Sequence, residues 1–173
     1  MEALRMLVLT AMESEARAVA GAWGMDRSST NSFILMNADR AVVTVGIRGC
    51  NLARAETLLR GRRPQVLILA GVAGALDPSL AIGSIVIEGW PDDRPLPSDS
   101  RAGRFHCSTG LVSTTAEKAR LFAQTGCAAV EMEAAAIAPF AARAGVPLLH
   151  IRAISDTATD AINPDCLSLI DAD

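Results

Sequence analysis

The stretch VLILAGVAG at residues 66–74 decides the class of fold. Its first five residues form a continuous apolar run of strand length, which is typical of a strand buried on both faces. A strand of this kind lies in a largely parallel sheet covered by helices. The glycines Gly71 and Gly74 favour a tight turn after the strand, or a place where a ligand approaches the backbone. Because a lone G-x-x-G is a weak signal, the residues alone favour the turn.

Apolar runs of strand length alternate with helical patterns on both sides of this stretch, as in α/β domains. Strands are predicted at residues 6–11, 33–36, 41–45, 66–70, 85–87, 128–131 and 148–155. Helices are predicted at residues 16–23, 52–61, 114–124 and 133–144. The sequence therefore predicts one α/β domain over residues 1–173, with a central mixed, twisted sheet flanked by helices.

Three segments carry more specific local predictions. Residues 33–36 and 41–45 resemble an antiparallel hairpin. The fourth helix is rich in alanine and apolar all round, so we expect it to be buried and to kink at Pro139. Residues 91–104 are polar and proline-rich, and we expect them to form a mobile surface loop.

The ends of two helices have recognisable signals. Gly61 and Pro64 predict that the second helix ends near residue 61. Thr114 and Glu117 fit a capping box at the start of the third helix, because the threonine hydroxyl accepts from the backbone N–H three residues later.

Composition excludes several classes of protein. Half of the 173 residues are apolar and a fifth are charged, a balance that favours a folded domain over disorder. A net charge of -3 without a basic run argues against nucleic acid as a partner. We expect no transmembrane segment, because no apolar stretch approaches eighteen residues, and the acidic start does not resemble a signal peptide. These features predict a cytoplasmic protein.

Cysteine and histidine show no metal-binding or disulfide pattern. The four cysteines are widely spaced without a C-x-x-C pair, so reduced thiols are expected at Cys50, Cys107, Cys127 and Cys166. The two histidines, His106 and His150, lack metal-ligand spacing. His150 lies in an apolar strand and is interpreted as a core histidine with its hydrogen bonds satisfied. We expect neither a metal nor a cofactor.

The segment Glu131-Met132-Glu133 lies where a predicted strand meets a helix. Open α/β sheets bind ligands at the carboxyl ends of their strands, which makes these carboxylates candidates for a site. A glutamate at a helix start is also stabilised by the helix dipole, so both interpretations of Glu133 stay open. For Glu131, a structural ion pair with Arg152 on a neighbouring strand is the stronger alternative.

Two further carboxylates are candidates. Asp156 ends the apolar strand that contains Arg152, and few solvating neighbours there would favour the protonated acid that can donate a proton. Its structural alternative is an N-cap or turn aspartate before Thr157. Glu15 lies one turn into the first helix, and its pattern alone indicates a solvated polar face.

Four segments together resemble one family. TAMESEARAV, LAGVAGALDPSLAIGSIVI, AAVEMEAAAIA and VPLLHIRAISDTA are similar to segments of the purine nucleoside phosphorylase and uridine phosphorylase superfamily. The A-M-E-x-E, V-E-M-E and R-A-I-S-D motifs most resemble 5′-methylthioadenosine/S-adenosylhomocysteine nucleosidases. TAEKARLFAQTG also resembles the hopanoid-associated members. The resemblance implies a nucleoside phosphorylase-like fold and cleavage of a ribosyl N-glycosidic bond.

The resemblance also implies roles for individual residues. It matches Glu133 to the residue that binds the ribose hydroxyls, with Met132 beside the sugar. It matches Asp156 to the residue that hydrogen-bonds or protonates the purine at N7, and Glu15 to the carboxylate that positions or deprotonates the attacking water. An oxocarbenium-like sugar is stabilised by negative charge, and departure of the base needs an acid. The other implied substrate-binding residues are Glu131, Gly71, Val72, Ala73, Gly74 and Ser155.

The sequence departs from the family pattern at several positions. Phosphorolytic members commonly have an arginine just before the G-x-x-G segment, where this chain has Leu69 and Ala70. Val72 stands where a serine is usual, and the stretch that sandwiches adenine is missing around residues 113–115. The family's terminal helix normally follows R-A-I-S-D, so we expect a shortened fold with the chain ending at Asp173.

These features predict a nucleosidase for an adenine-type nucleoside such as methylthioadenosine, adenosylhomocysteine or an adenosyl-hopane-like compound. Water is the expected co-substrate. The alternatives are a phosphorylase that uses inorganic phosphate and a non-catalytic nucleoside-binding member. A homodimer or a higher homo-oligomer is expected, because small members of the family complete their pockets across an interface.

Overall fold

The computed structural model describes residues 5–25, 34–36, 40–46, 49–163 and 165. This part of the chain forms nine strands and four helices. The strands are β1 (Met6–Thr10), β2 (Ile34–Met36), β3 (Arg40–Thr44), β4 (Val66–Ala75), β5 (Ile85–Glu88), β6 (Ser100–Ala102), β7 (Phe105–Cys107), β8 (Ala129–Glu131) and β9 (Leu148–Asp156). The helices are α1 (Glu13–Ala22), α2 (Leu52–Arg62), α3 (Thr115–Thr125) and α4 (Ala134–Ala144).

The chain forms two compact units. The first comprises the described residues within 1–71 and 133–149, and the second those within 72–132 and 150–173. Strands β4 and β9 contribute residues to both.

The first unit has a mixed sheet. Its strand order is β2-β3-β1-β4, with β1 parallel to β3 and β4, and β2 antiparallel to β3. Leu7 and Leu9, two residues apart on β1, enter an apolar cluster with Ile137 and Phe140 of α4. Residues two apart on a strand share one face, and residues three apart on a helix share one side, so these side chains meet in the core of the unit. The predicted hairpin of β2 and β3 is confirmed, while its turn at residues 37–39 lies outside the described residues.

The second unit also combines parallel and antiparallel pairs. β5 is parallel to β6 and antiparallel to β9, whereas β8 is antiparallel to the end of β4 and parallel to β7. Two apolar clusters form its core, one with Val86 and Ile154 of the sheet and one with Leu121 of α3. The predicted α/β fold with a mixed sheet flanked by helices is thus confirmed.

Several local predictions are corrected. Residues 71–74 continue strand β4 instead of turning, because the strand gains a new partner: Gly74 lies opposite Val130 of β8. The predicted loop at residues 91–104 contains β6. This strand has no apolar pattern of its own and forms through its hydrogen bonds to β5.

One helix prediction is confirmed and another changes. Helix α2 ends at Arg62, near the predicted residue 61, and the next residue, Arg63, has a left-handed backbone with φ 47° before Pro64. Helix α4 is not buried all round. It contains Pro139, and the kink expected there stays a prediction. It buries Ile137, Phe140 and Ala141, a set spaced by three and four residues, and exposes Ala135, Ala138 and Ala142. Because the alanine side chain has a small apolar area, its exposure to water costs little free energy. The alanine-rich composition of α4 was therefore a poor guide to its burial.

Thr114 caps α3 as predicted, because its Oγ1 accepts a hydrogen bond from the backbone N–H of Glu117 at 3.2 Å. Cys50, Cys107 and Cys127 are free thiols, and Cys166 lies outside the described residues. Among the described residues, no helix has both the length and the apolar composition needed to span a membrane.

Candidate active site

Asp156 is the last residue of β9 and is held from two sides. Its Oδ2 forms an ion pair with Nζ of Lys118, and its Oδ1 accepts a hydrogen bond from Oγ of Ser155 at 2.6 Å. The expectation of few solvating neighbours is therefore wrong, because a cation and a hydroxyl take the place of water. The side chain of Asp156 keeps 16% of its surface exposed, so the carboxylate is partly open to solvent.

The residue that accepts from the backbone of Thr157 in the turn after β9 is Asp160, and not Asp156 as the structural alternative had it. The backbone N–H of Thr157 donates to Oδ2 of Asp160 at 2.8 Å. These hydrogen bonds from Thr157 are the main reason that the pKa of Asp160 is lowered, and the charge of Lys118 adds to the effect. The turn after β9 is thus closed by Asp160, which leaves the Asp156 carboxylate to its own partners.

Gly74 lies against the Asp156 carboxylate. A Cβ atom built at Gly74 would lie 2.8 Å from Oδ2 of Asp156, closer than a real Cβ atom comes to its neighbours. Glycine at this position therefore lets the carboxylate approach the backbone of β4. The sequence predicted a close approach to the backbone here as one alternative, and in the structure the approaching group is a side chain of the protein itself.

Lys118 is a site residue that the sequence analysis missed. Its side chain is fully buried, and Nζ donates to Asp156 Oδ2, to the carbonyl oxygen of Thr157 at 2.7 Å and to that of Asp160 at 2.9 Å. Three acceptors match the three protons of an ammonium group. One signal was available: Lys118 is the only lysine among 16 basic residues.

Ser155 and Val72 link the site to β4. Oγ of Ser155 lies 3.2 Å from the carbonyl oxygen of Ala73, so this hydroxyl reaches both β4 and the carboxylate of Asp156. Val72 is 42% exposed, and its carbonyl oxygen accepts from Nη1 of Arg152 at 3.4 Å.

The middle of β9 carries a buried polar network. Nη2 of Arg152 donates to Oε2 of Glu131 at 2.9 Å, and both side chains are almost completely buried. The predicted ion pair between Glu131 and Arg152 is therefore present. Nε of Arg152 donates to Nε2 of His150 at 2.9 Å, which makes that nitrogen an acceptor and places the proton of the neutral ring on Nδ1.

His150 is a neutral core histidine. Burial, aided by the nearby charge of Arg152, lowers the pKa of His150 from 6.5 to about 3. Its ring also packs on Phe105, with ring centroids 4.1 Å apart. The interpretation of His150 as a satisfied core residue is confirmed.

Glu15 is buried and not on a solvated face as its pattern indicated. Its Oε2 accepts from the backbone N–H groups of Ala11 and Met12, both at 3.0 Å. The carboxylate thus satisfies donors at the start of α1, as in one half of a capping box. This contact fixes the carboxylate directly after strand β1.

Glu133 directly precedes α4 and is buried. Its carbonyl oxygen accepts the first hydrogen bonds of the helix, from the N–H groups of Ala136 and Ile137. Met132 lies half-buried in the bend between β8 and α4, and Gly71 lies half-buried in β4.

The second unit therefore brings together Asp156, Ser155, Ala73 and Gly74, and separately joins Glu131 to Val72 through Arg152. Glu15 and Glu133 begin two different helices of the first unit. Within the described residues, no group of three or more His, Cys, Asp or Glu side chains could hold a metal ion.

One family model matches part of the chain. The family model described as the Phosphorylase superfamily matches residues 94–169, a range that includes Lys118, Glu133 and Asp156. The resemblance to the nucleoside phosphorylase superfamily is thereby confirmed.

Solved structures of particular nucleosidases and hydrolases share the fold. A futalosine hydrolase mutant of Helicobacter pylori has a TM-score of 0.69 and 18% identity, over 98% of this chain and 95% of that one. The S-adenosylhomocysteine nucleosidase of Streptococcus pyogenes, in complex with 5-methylthiotubericidin, has a TM-score of 0.70 and 22% identity, over 99% and 90%. The 5′-methylthioadenosine/S-adenosyl homocysteine nucleosidase of Campylobacter jejuni has a TM-score of 0.68 and 20% identity, over 97% and 92%. No curated protein matches the chain in sequence.

Proposed function

We propose that the protein is a nucleosidase that hydrolyses the N-glycosidic bond of an adenine-type nucleoside. Methylthioadenosine, adenosylhomocysteine and an adenosyl-hopane-like compound are the substrates that we consider. The observation that carries the proposal is the arrangement around Asp156, where an ion pair, a hydroxyl and a glycine hold one partly exposed carboxylate at the end of a strand. Ligands of open α/β sheets bind at such strand ends.

In the proposed reaction Asp156 acts on the leaving base. In its protonated form Asp156 donates a hydrogen bond or its proton to N7 of the purine, so that the C–N bond breaks with its electron pair going to a base that carries less negative charge. The sugar becomes cationic as the bond lengthens. A neutral or protonated base is a much better leaving group than an anion, which is why this carboxylate should matter most to the rate.

Glu133 and Glu15 act on the sugar and on water in the same proposal. Glu133 accepts hydrogen bonds from the ribose hydroxyls, and these bonds strengthen as positive charge develops on the sugar. Glu15 takes a proton from the attacking water, whose oxygen forms the new bond to C1′. The hydrogen bonds from Ala11 and Met12 support this role, because they hold the carboxylate in one position.

Hydrolysis is favoured over phosphorolysis by the residues of β4 and its neighbours, which offer phosphate no unpaired arginine at the usual position. Leu69 and Ala70 stand where phosphorolytic members commonly have an arginine. Arg152 does contact the carbonyl oxygen of Val72, but its charge is paired with Glu131. A phosphate dianion without a cationic partner is costly in a partly buried site. Phosphorolysis is the second candidate, favoured by the description of the matching family model.

A nucleoside panel with and without phosphate tests the proposal. Purified protein is incubated with methylthioadenosine, adenosylhomocysteine and adenosine, and the released base and sugar are identified by chromatography and mass spectrometry. We expect free adenine and a free ribose derivative in phosphate-free buffer. A ribose 1-phosphate product would establish the phosphorylase instead, and binding of the nucleoside without cleavage would establish the non-catalytic alternative.

Glu15→Gln separates hydrolysis from phosphorolysis within the site. If the variant loses roughly 10²- to 10⁴-fold in rate, water activation is part of the reaction. A variant as active as the wild type would argue that water is not the nucleophile.

A further inference from the structure

We propose that Lys118 is a positioning residue for Asp156, which holds Oδ2 so that Oδ1 is the oxygen that meets the leaving base. The inference rests on the proposed function. Lys118 fastens the end of β9 to helix α3, since its ammonium group contacts Asp156, Thr157 and Asp160. The two oxygens of Asp156 then have different surroundings, Oδ2 facing a buried cation and Oδ1 an exposed hydroxyl.

Stability alone is a poor reason to bury this lysine. Removing an ammonium group from water is unfavourable, and a well-packed apolar residue of similar size is often as stabilising as a buried ion pair. The side chain of Lys118 has no exposed surface, yet the partner carboxylate is 16% exposed. A buried cation beside a carboxylate that reaches solvent is therefore better explained by what the carboxylate does.

The chemistry of the ammonium group also fits positioning. Its three protons point in tetrahedral directions and reach one carboxylate and two carbonyl oxygens within five residues of chain. The planar guanidinium of arginine spreads its donors in one plane and suits a different arrangement. Lysine at this position in a chain whose other 15 basic residues are arginine is consistent with that requirement.

On the other side of the carboxylate, Oδ2 lies close to Gly74, where a built Cβ atom would be 2.8 Å away. Oδ2 therefore lies between the β4 backbone and Lys118. Without the ammonium group, the carboxylate loses the contact that fixes its rotation. Oδ1 would then no longer be presented in one direction.

Two substrates distinguish positioning of Asp156 from a general structural role. Methylthioadenosine needs assistance to its leaving base, whereas 4-nitrophenyl β-D-riboside releases a stable phenolate without an acid. For Lys118→Met we expect a loss of roughly 10- to 100-fold in kcat on methylthioadenosine, smaller than the loss of the acid itself. On the riboside we expect a change of less than about threefold. Lys118→Arg, which keeps the charge, should recover part of the lost rate.

The matched control is Arg120→Met on the same helix. Arg120 is an exposed cation near Glu117, and its loss should change neither rate. If Lys118→Met slows both substrates equally, or neither, the positioning role is overturned while the nucleosidase stands. If wild-type protein cleaves neither substrate, the proposed function fails and the role of Lys118 fails with it.

A measurement on the wild-type fold decides the matter if Lys118→Met does not fold. Protein grown with lysine carrying ¹³C at Cε gives a single lysine side-chain signal, because the chain has one lysine. Adenine, added at a concentration that inhibits cleavage, should shift this signal. An unchanged signal in the inhibited enzyme would overturn the proposal.

Discussion

The middle and the end of strand β9 each carry an ion pair, and the two pairs have different surroundings. In the middle, Arg152 and Glu131 are 1% and 0% exposed, and the guanidinium also contacts His150 and Val72. At the end, Lys118 is fully buried but Asp156 is 16% exposed. The pair in the middle is enclosed by the protein, so its effect should be on stability. The pair at the end reaches solvent on one side, so its effect should be on reactivity.

The largest effect is expected from Asp156→Asn at the end of the strand. The amide keeps the size of the side chain and its oxygen can still accept from Lys118, but it cannot transfer a proton. Cleavage of purine nucleosides should fall roughly 10²- to 10⁴-fold, while circular dichroism shows the fold preserved. If the variant is merely less stable and otherwise fully active, the end of β9 is structural like its middle.

Next in size is Arg152→Met in the middle of the strand. Removing one partner of a buried ion pair leaves Glu131 as an uncompensated charge, and the free energy of unfolding should fall by about 3–5 kcal/mol. Urea denaturation measures the change. The double variant Glu131→Gln/Arg152→Met should recover part of the loss, because no lone charge remains. A single variant as stable as the wild type would remove the distinction between the two pairs.

A smaller effect is expected from Gly74→Ala, which tests the close approach at the end of the strand. The new Cβ would meet Oδ2 of Asp156 at 2.8 Å, so carboxylate or backbone must shift, at a cost of about 1–3 kcal/mol. Gly110→Ala is the control, because a Cβ atom there has no neighbour within 4 Å. In an Asp156→Ala background the Gly74 change should cost less. Equal costs in both backgrounds would show that the carboxylate is not the obstacle.

The smallest effect concerns pH and the middle of the strand. The pKa of His150 is lowered to about 3 in the folded protein, whereas an unfolded chain takes up the proton near 6.5. The contribution of neutral His150 to the free energy of unfolding should therefore be complete above pH 6.5. It should be lost as the pH falls toward 3, by about 1 kcal/mol over the first pH unit. His150→Gln should lose this dependence and His106→Gln should keep it, as urea titrations at several pH values would show. If both variants keep it, the acid sensitivity belongs to other groups.

The larger elements were predictable because their apolar residues recur with the period of a strand or a helix. Strand β1 is almost entirely buried, β4 and β9 bury part of their residues, and the helices that follow or precede them have stripes of the right spacing. Strands β6 and β7 were missed, since each has only three residues, none of them buried, and owes its conformation to hydrogen bonds with β5 or β8. Such pairing depends on residues distant in sequence and leaves no local pattern.

The candidate site was predictable only in part, for a related reason. Motif similarity pointed to Asp156 and Glu133, but it could not show what surrounds them. Lys118 lies in a charged stretch of α3 that resembles an exposed helix face, and only the tertiary structure reveals its burial. The alanines that α4 exposes are a reverse case, since their apolar character predicted burial. The homodimer stays a prediction.

The burial of Lys118 has a practical consequence for chemical labelling. Because the sequence has one lysine and its side chain has no exposed surface, an ε-amine reagent finds no target in the folded chain. Modification of Lys118 would require α3 to open from the turn that follows β9. The rate at which an acylating reagent modifies that amine therefore reports the fraction of molecules that open locally. A single residue thus gives a reporter of opening at the candidate site without any engineered label.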